Sequence, residues 1–226
     1  MNNGAVVNAG INKFYSKIYA FLAMGIGVSA LVSYLILNVF PIVLVTLLSS
    51  TVLFFGLWLL QIGLVIFLGV RAQKNPTLAI SGFLVYSILN GVTISATLLL
   101  YAQATVVSAF VSAAATFGAM ALVGMFTKKD LSAVGHAAYS ALIGIIIAMV
   151  INFFFLRSSA VSFFISVLMV LIFAGITAYD NQKIRQVYNE TGGQAGTGIA
   201  VFFALQLYLD FINLFLAFLR IFGKNN

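Results

Sequence analysis

The chain has 226 residues, of which 63% are hydrophobic and only 7% are charged. A water-soluble domain carries about 25% charged residues, so this chain has too few charges to cover a surface in water. Soluble enzymes, nucleic-acid-binding modules and disordered regulators are therefore excluded, and the expected environment is the lipid bilayer. The net charge of +7 is explained by Lys and Arg at the cytoplasmic ends of membrane spans rather than by nucleic-acid binding.

The residue types also exclude several kinds of site. The chain has no Cys, which rules out disulfides, iron–sulfur clusters and thiolate zinc sites. His136 is the single His, so a zinc hydrolase that uses several histidines is excluded as well. No nucleophile motif or metal-ligand spacing supports an intramembrane hydrolase. We therefore expect no enzyme activity and no tightly bound cofactor.

Seven apolar segments are long enough to cross a bilayer as helices. A hydrocarbon core of about 30 Å takes about 20 helical residues, and the segments are too long and lack the alternation of strands. We predict an all-α integral membrane protein, with residues 1–226 forming a single polytopic membrane domain. The predicted spans are residues 15–37, 43–70, 78–101, 105–126, 137–156, 160–179 and 197–222.

The basic residues predict the orientation of the spans. Lys and Arg gather on the cytoplasmic side, which places the N-terminus in the cytoplasm. The expected location is a plasma membrane of bacterial type. If the seventh segment crosses, Arg157, Arg220 and Lys224 lie outside; if it enters and returns, the last two move to the cytoplasm. The residues assigned to the cytoplasmic side are Lys13, Lys17, Arg71, Lys74, Lys128, Lys129, Lys183 and Arg185.

Small residues in the fourth and fifth spans predict close helix packing. Helices in lipid gain little from the hydrophobic effect, so they associate where small side chains let their backbones approach. The residues expected on such faces are Ala114, Gly118, Ala137, Ala141, Gly144 and Ala148.

Two of the four acidic residues lie inside or at the edge of apolar spans: Asp180 ends the sixth and Asp210 lies within the seventh. A charge at the bilayer centre costs roughly 2.5–3.5 kcal/mol, so such residues are functional candidates. Measured from the connecting loop, they stand about 13 Å and about 21 Å along consecutive antiparallel helices, a difference that tilt can absorb. Asp130, just before the fifth span, is expected to cap that helix.

A carboxyl pair in a medium of low dielectric has restricted chemistry. Two such groups do not readily ionise together, so they share a proton. The protonated pair can close a pore through its own hydrogen bond. After losing the proton, the pair attracts a hard divalent cation such as Ca²⁺, which prefers carboxylate oxygen.

The seventh span also has a polar face. Gln206, Asp210 and Asn213 are spaced by four and three residues, which places them on one side of a helix. They either line a pore or serve only as hydrogen-bonding contacts between helices.

The chain resembles the Bax inhibitor-1 family, also called the transmembrane BAX inhibitor motif family, in its bacterial branch. The resemblance covers all seven spans, and its motifs are residues 177–184, 204–220, 127–131 and 90–95. It implies six helices around a central seventh and a pH-sensitive Ca²⁺ leak, with Asp180 and Asp210 as the sensor and as ligands of the permeant ion. It also implies a basic latch residue in the second span, for which Arg71 is the candidate.

Gln61 is a departure from the family pattern, because many members carry Glu in the second span. A neutral amide can bind or donate but adds no charge, so cation affinity or conduction is put in doubt at this position. The competing hypothesis is a non-conducting membrane protein that modulates a partner, such as a membrane protease or a regulator of stress responses or cell death.

Overall fold

The computed structural model describes the backbone of residues 3–223 and the side chains of residues 10–223. That part of the chain is helical and contains no strand, which confirms the predicted all-α fold. Lys224, assigned above to the outer side, lies outside it. The helices are α1 (Asn3–Asn38), α2 (Pro41–Ser49), α3 (Thr51–Arg71), α4 (Pro76–Leu98), α5 (Gln103–Phe126), α6 (Ser132–Ile151, continued by a π-helical turn Asn152–Leu156), α7 (Ser159–Glu190) and α8 (Thr197–Gly223).

Seven of these described helices are long and apolar enough to span a membrane, as predicted; α2, with nine residues, is too short. The prediction of one continuous second span over residues 43–70 was wrong, because the structure divides this segment into α2 and α3. Ser50 has an extended backbone, and its side chain accepts a hydrogen bond from the Leu53 N–H at 3.3 Å. Such a side-chain acceptor at a helix start satisfies a free N–H, so Ser50 ends α2 and begins α3.

The last two helices are longer than the predicted spans. α7 continues as far as Glu190, beyond the predicted end at Tyr179, because the polar residues that follow keep the helical backbone hydrogen bonds. α8 is one continuous helix of 27 residues, about 40 Å long, which is enough to cross the hydrocarbon core. A segment that enters and turns back would need a break, so the crossing alternative is favoured.

α8 is the most enclosed helix of the seven. In its apolar window 67% of the residues are buried, compared with 39% in α7 and 11% in α3. Its fully enclosed side chains include Tyr208, Phe203 and Leu214. This burial agrees with the predicted central position of the last helix.

The helices form two compact units. One comprises the residues up to Leu100 together with Tyr188–Tyr208, and the other comprises Tyr101–Val187 with the residues from Leu209 onward. In the first unit α1 packs mainly along α4, and at Gly91 only a hydrogen atom fits against the Ser29 carbonyl and the Val32 side chain.

The predicted small-residue faces were wrong in register. Gly118 and Gly144 face open space, and Ala114, Ala137 and Ala141 are exposed. The buried small residues are Ala113, Ala121 and Gly124 of α5 and Gly135 and Ala138 of α6. Membrane helices are apolar on every side, so the sequence has no polar face from which the buried side can be identified.

We predict that Gly124→Ala destabilises the second unit. A methyl group at Gly124 would meet the Ala178 carbonyl oxygen and lie 2.9 Å from the Asn181 Cβ, and a packed backbone cannot move aside easily. The expected cost is about 1–3 kcal/mol. Thermal unfolding in detergent measures it.

Gly118→Ala is the matched control on the same helix. It adds the same methyl group where nothing lies within 4 Å, so helix propensity alone should apply and stability should rise by up to about 1 kcal/mol. Equal melting temperatures for the two variants would contradict the close α5–α7 contact.

Candidate functional site

Asp180 and Asp210 are both buried, with 1% and 4% of their surface exposed. Asp180 lies ten residues before the end of α7, and Asp210 lies thirteen residues after the start of α8. These positions are about 15 Å and about 20 Å from the ends of the helices at the connecting loop. Both residues belong to the second compact unit, and the charge of Asp180 reaches the Asp210 carboxyl.

Tyr139 of α6 joins this pair as a third member. Its hydroxyl donates to the Asp180 carboxylate, at 3.3 Å from Oδ1 and 3.4 Å from Oδ2. The charges of both aspartates act on the Tyr139 hydroxyl. We call Tyr139, Asp180 and Asp210 the aspartate cluster.

One basic side chain and one aromatic ring flank the aspartate cluster. Lys183, less than one helical turn after Asp180, acts on that carboxyl through its positive charge. Its ammonium group lies 5.7 Å from the centre of the Tyr179 ring. The Tyr179 ring meets the Tyr139 ring edge-on, with 6.3 Å between centres, and so holds it in position.

The polar face of α8 divides into satisfied and unsatisfied groups. Asn213 donates to the Leu209 carbonyl of its own helix at 2.8 Å. Oδ2 of Asp210 and Oε1 of Gln206 are buried and have no hydrogen-bond partner within the described part of the chain. A buried acceptor without a donor is costly, so the Asp210 oxygen is suited to take a proton or to contact a cation.

Beyond the aspartate cluster, α7 holds the loop between α5 and α6. The Gln182 amide group donates to the Lys129 carbonyl and accepts from the Leu131 N–H, both at 2.8 Å. Arg185 donates to the Met125 and Thr127 carbonyls, each at 2.9 Å. Three hydrogen bonds therefore attach this loop to the helix that carries Asp180, and a fourth attaches the end of α5.

Asp130 lies one residue before Leu131, the N-cap of α6, and it accepts a hydrogen bond from a backbone N–H of the first turn, as predicted. Its Oδ1 accepts from the Ser132 hydroxyl at 2.7 Å and from the Ser132 backbone N–H at 2.9 Å. These two hydrogen bonds hold the pKa of this exposed carboxyl below its usual range. Asp130 is thus an ordinary ionised surface residue, unlike Asp180 and Asp210.

The first unit contains a separate buried network of neutral side chains. Gln61 accepts from the Asn90 amide at 3.3 Å, and Asn90 Oδ1 accepts from the Tyr208 hydroxyl at 3.0 Å. The Ser29 hydroxyl, which has one proton to donate, lies 2.6 Å from the Tyr208 hydroxyl and 2.7 Å from the Ser87 carbonyl oxygen. This chain, here called the neutral network, connects α3, α4, α8 and α1.

The predicted site residues thus fall in different places. The structure brings Asp180 and Asp210 together, whereas Gln61 belongs to the neutral network and Arg71 is exposed in the last turn of α3. A latch formed by Arg71 stays a prediction. The sequence reasoning missed Tyr139 and Gln182. The available signal was a hydroxyl or amide in an apolar environment, which must find a partner.

A cation at the aspartate cluster would be bound by few protein oxygens. Over the described residues, no group of three or more His, Asp or Glu side chains is placed to hold a metal ion. Two carboxylates offer at most four of the six to eight oxygens that Ca²⁺ takes. The two carboxylates alone therefore do not complete the coordination of Ca²⁺.

The chain is similar to membrane proteins of several bacteria. The family profile described as "Inhibitor of apoptosis-promoting Bax1" matches residues 11–226. An uncharacterized membrane protein of Streptococcus pyogenes serotype M1 is 47% identical over 220 residues, which are 97% of this chain and 96% of that protein. The inner membrane protein YbhL of Escherichia coli K12 is 37% identical over 220 residues, which are 96% and 93% of the two chains.

We predict that Gln182→Leu loosens the loop between α5 and α6. The variant leaves the Leu131 N–H and the Lys129 carbonyl without their partner, at an expected cost of about 1–3 kcal/mol. Hydrogen exchange of the Leu131 amide should become faster. Gln103→Leu, at an exposed position of α5, should leave that exchange unchanged; equal rates in both variants would contradict the attachment.

A second prediction concerns the neutral network. Tyr208→Phe keeps the buried ring but removes the hydroxyl that contacts Asn90 and Ser29, so the melting temperature in detergent should fall, with a cost of about 0.5–2 kcal/mol. Tyr34→Phe is the control, since Tyr34 is 61% exposed. The network has no energetic role if both variants melt at the wild-type temperature.

Proposed function

The chain belongs to the Bax inhibitor-1 family of membrane proteins, and we propose that it is a pH-sensitive leak pathway for Ca²⁺ or a similar hard cation. Asp180 and Asp210 are the proton sensor and the ligands of the passing ion. Calcium ions and protons are thus its small partners, and the bilayer is its environment. We place it in the plasma membrane with the N-terminus in the cytoplasm.

This proposal rests on Oδ2 of Asp210, which is buried without a donor among residues 10–223, and on the charge of a second buried carboxyl that reaches it. Polar side chains that only connect helices are satisfied by their neighbours, as those of the neutral network are. An unsatisfied carboxylate oxygen in such an environment instead needs a proton or a cation. The arrangement therefore supports a binding role over a purely structural one.

Proton exchange at this pair supplies the pH dependence. With one shared proton, the pair carries one negative charge and its carboxyls can bond to each other. When the proton leaves, two negative charges face each other in a medium of low dielectric, and a divalent cation relieves their repulsion. Cation entry is therefore favoured as the pH rises and opposed as it falls.

We expect the purified protein in liposomes to pass Ca²⁺ with a flux that rises with pH. Asp180→Asn and Asp210→Asn each remove a charge, so both variants should reduce the flux about tenfold or more and flatten its pH profile. Asp130→Asn is the control, because that carboxyl is exposed and outside the spans.

Unchanged flux and unchanged pH profile in both cluster variants would overturn the proposal. A protein that passes no ion, but copurifies in mild detergent with the same membrane protein whether or not both aspartates are present, would instead support a modulator of that partner.

A further inference from the structure

The hydroxyl of Tyr139 contacts both oxygens of the Asp180 carboxylate. Its distances to them, 3.3 Å and 3.4 Å, are nearly equal. Points equally distant from both oxygens lie in the plane that bisects the carboxylate between them. A cation bound by both oxygens of one carboxylate lies in that same plane and competes with the hydroxyl for the two oxygens.

The contact is long for a hydroxyl donor, whose ordinary distance to an oxygen is about 2.7–2.8 Å. A shared, long hydrogen bond is weaker than a direct one, so it can be released without a large penalty. Tyr139 is also 39% exposed, while Asp180 is almost completely buried. The tyrosine is therefore the member of the aspartate cluster with room to move.

The surroundings define what holds the hydroxyl in place. The Tyr139 ring meets the Tyr179 ring edge-on, which fixes its tilt without bonding to its oxygen. Gly135, one helical turn earlier on α6, faces the Tyr179 ring so closely that a side chain would not fit there. The ring thus has a defined resting position in which its hydroxyl covers Asp180.

We infer that Tyr139 is a plug for the Asp180 carboxylate: its hydroxyl occupies the place of a cation bound by both oxygens and moves aside when the cation arrives. This inference rests on the proposed function of Asp180 as a cation ligand. It adds a regulating residue on a third helix, which restrains the leak at any given pH. Tyr139 is not itself a ligand of the ion in this scheme.

The test removes the hydroxyl and keeps the ring. Tyr139→Phe should raise Ca²⁺ flux in liposomes about two- to tenfold at fixed pH, the range that follows from the loss of one hydrogen bond. It should also strengthen Mn²⁺ binding to the detergent-solubilised protein, measured by electron paramagnetic resonance, by a similar factor. Tyr139→Leu, a second variant without a hydroxyl, should change both in the same direction.

Two controls separate this inference from the proposed function. Tyr34→Phe should change neither measurement, and Tyr139→Phe should have no effect on Mn²⁺ affinity when combined with Asp180→Asn, because the plug acts only through that carboxyl. Stronger Mn²⁺ binding through Asp180 without any ion flux would support the plug and overturn the leak. Unchanged or weaker Mn²⁺ binding in both Tyr139 variants would overturn the plug, and weaker binding would identify Tyr139 as a ligand.

Discussion

The cost of a negative charge away from water is the constraint on which the structure depends. Lipid surrounds most of the chain, and within it a carboxylate must be protonated, paired with a cation or hydrogen-bonded. Asp180 and Asp210 are both buried, and the negative charge of Asp180 acts on Asp210. Ionising one carboxyl therefore raises the free-energy cost of ionising the other. Tyr139 and Lys183 reduce this cost for Asp180, whereas Oδ2 of Asp210 has no donor among the described residues.

The two compact units meet the demands of buried polar groups in different ways. The neutral network of the first unit connects amide and hydroxyl groups from Gln61 to Ser29, with no net charge to neutralise. The aspartate cluster of the second unit has two acids and few donors. A satisfied network stabilises one arrangement, whereas buried acids with few donors are typical of functional sites. This chemical difference is the reason for which we propose a functional role for the aspartate cluster and a structural one for the neutral network.

The sequence predicted the seven spans and singled out Asp180 and Asp210 as carboxyls that could meet, because hydropathy and the scarcity of acids are strong signals in a membrane chain. It did not predict which small residues are buried, because Gly118 and Gly124 look alike in an apolar helix and only the position of Ala178 separates them. The role of Tyr139 was also beyond the sequence, since its partner lies 41 residues away on another helix. The helix break at Ser50 had one signal in the sequence, a serine that can cap a helix, but hydropathy does not detect such a break.

The attachment of the loop between α5 and α6 to α7 has a mechanical consequence. Asp180 and Arg185 are separated by little more than one turn of the same helix, so they turn and shift together as a rigid rod. Gln182 and Arg185 transmit any such motion to the backbone of residues 125–131. The exposed residue Lys128 is therefore expected to move when the helix segment that carries the buried Asp180 moves. Because the chain has no Cys, a single cysteine at position 128 would carry the chain's one thiol-linked probe and would report movement of α7.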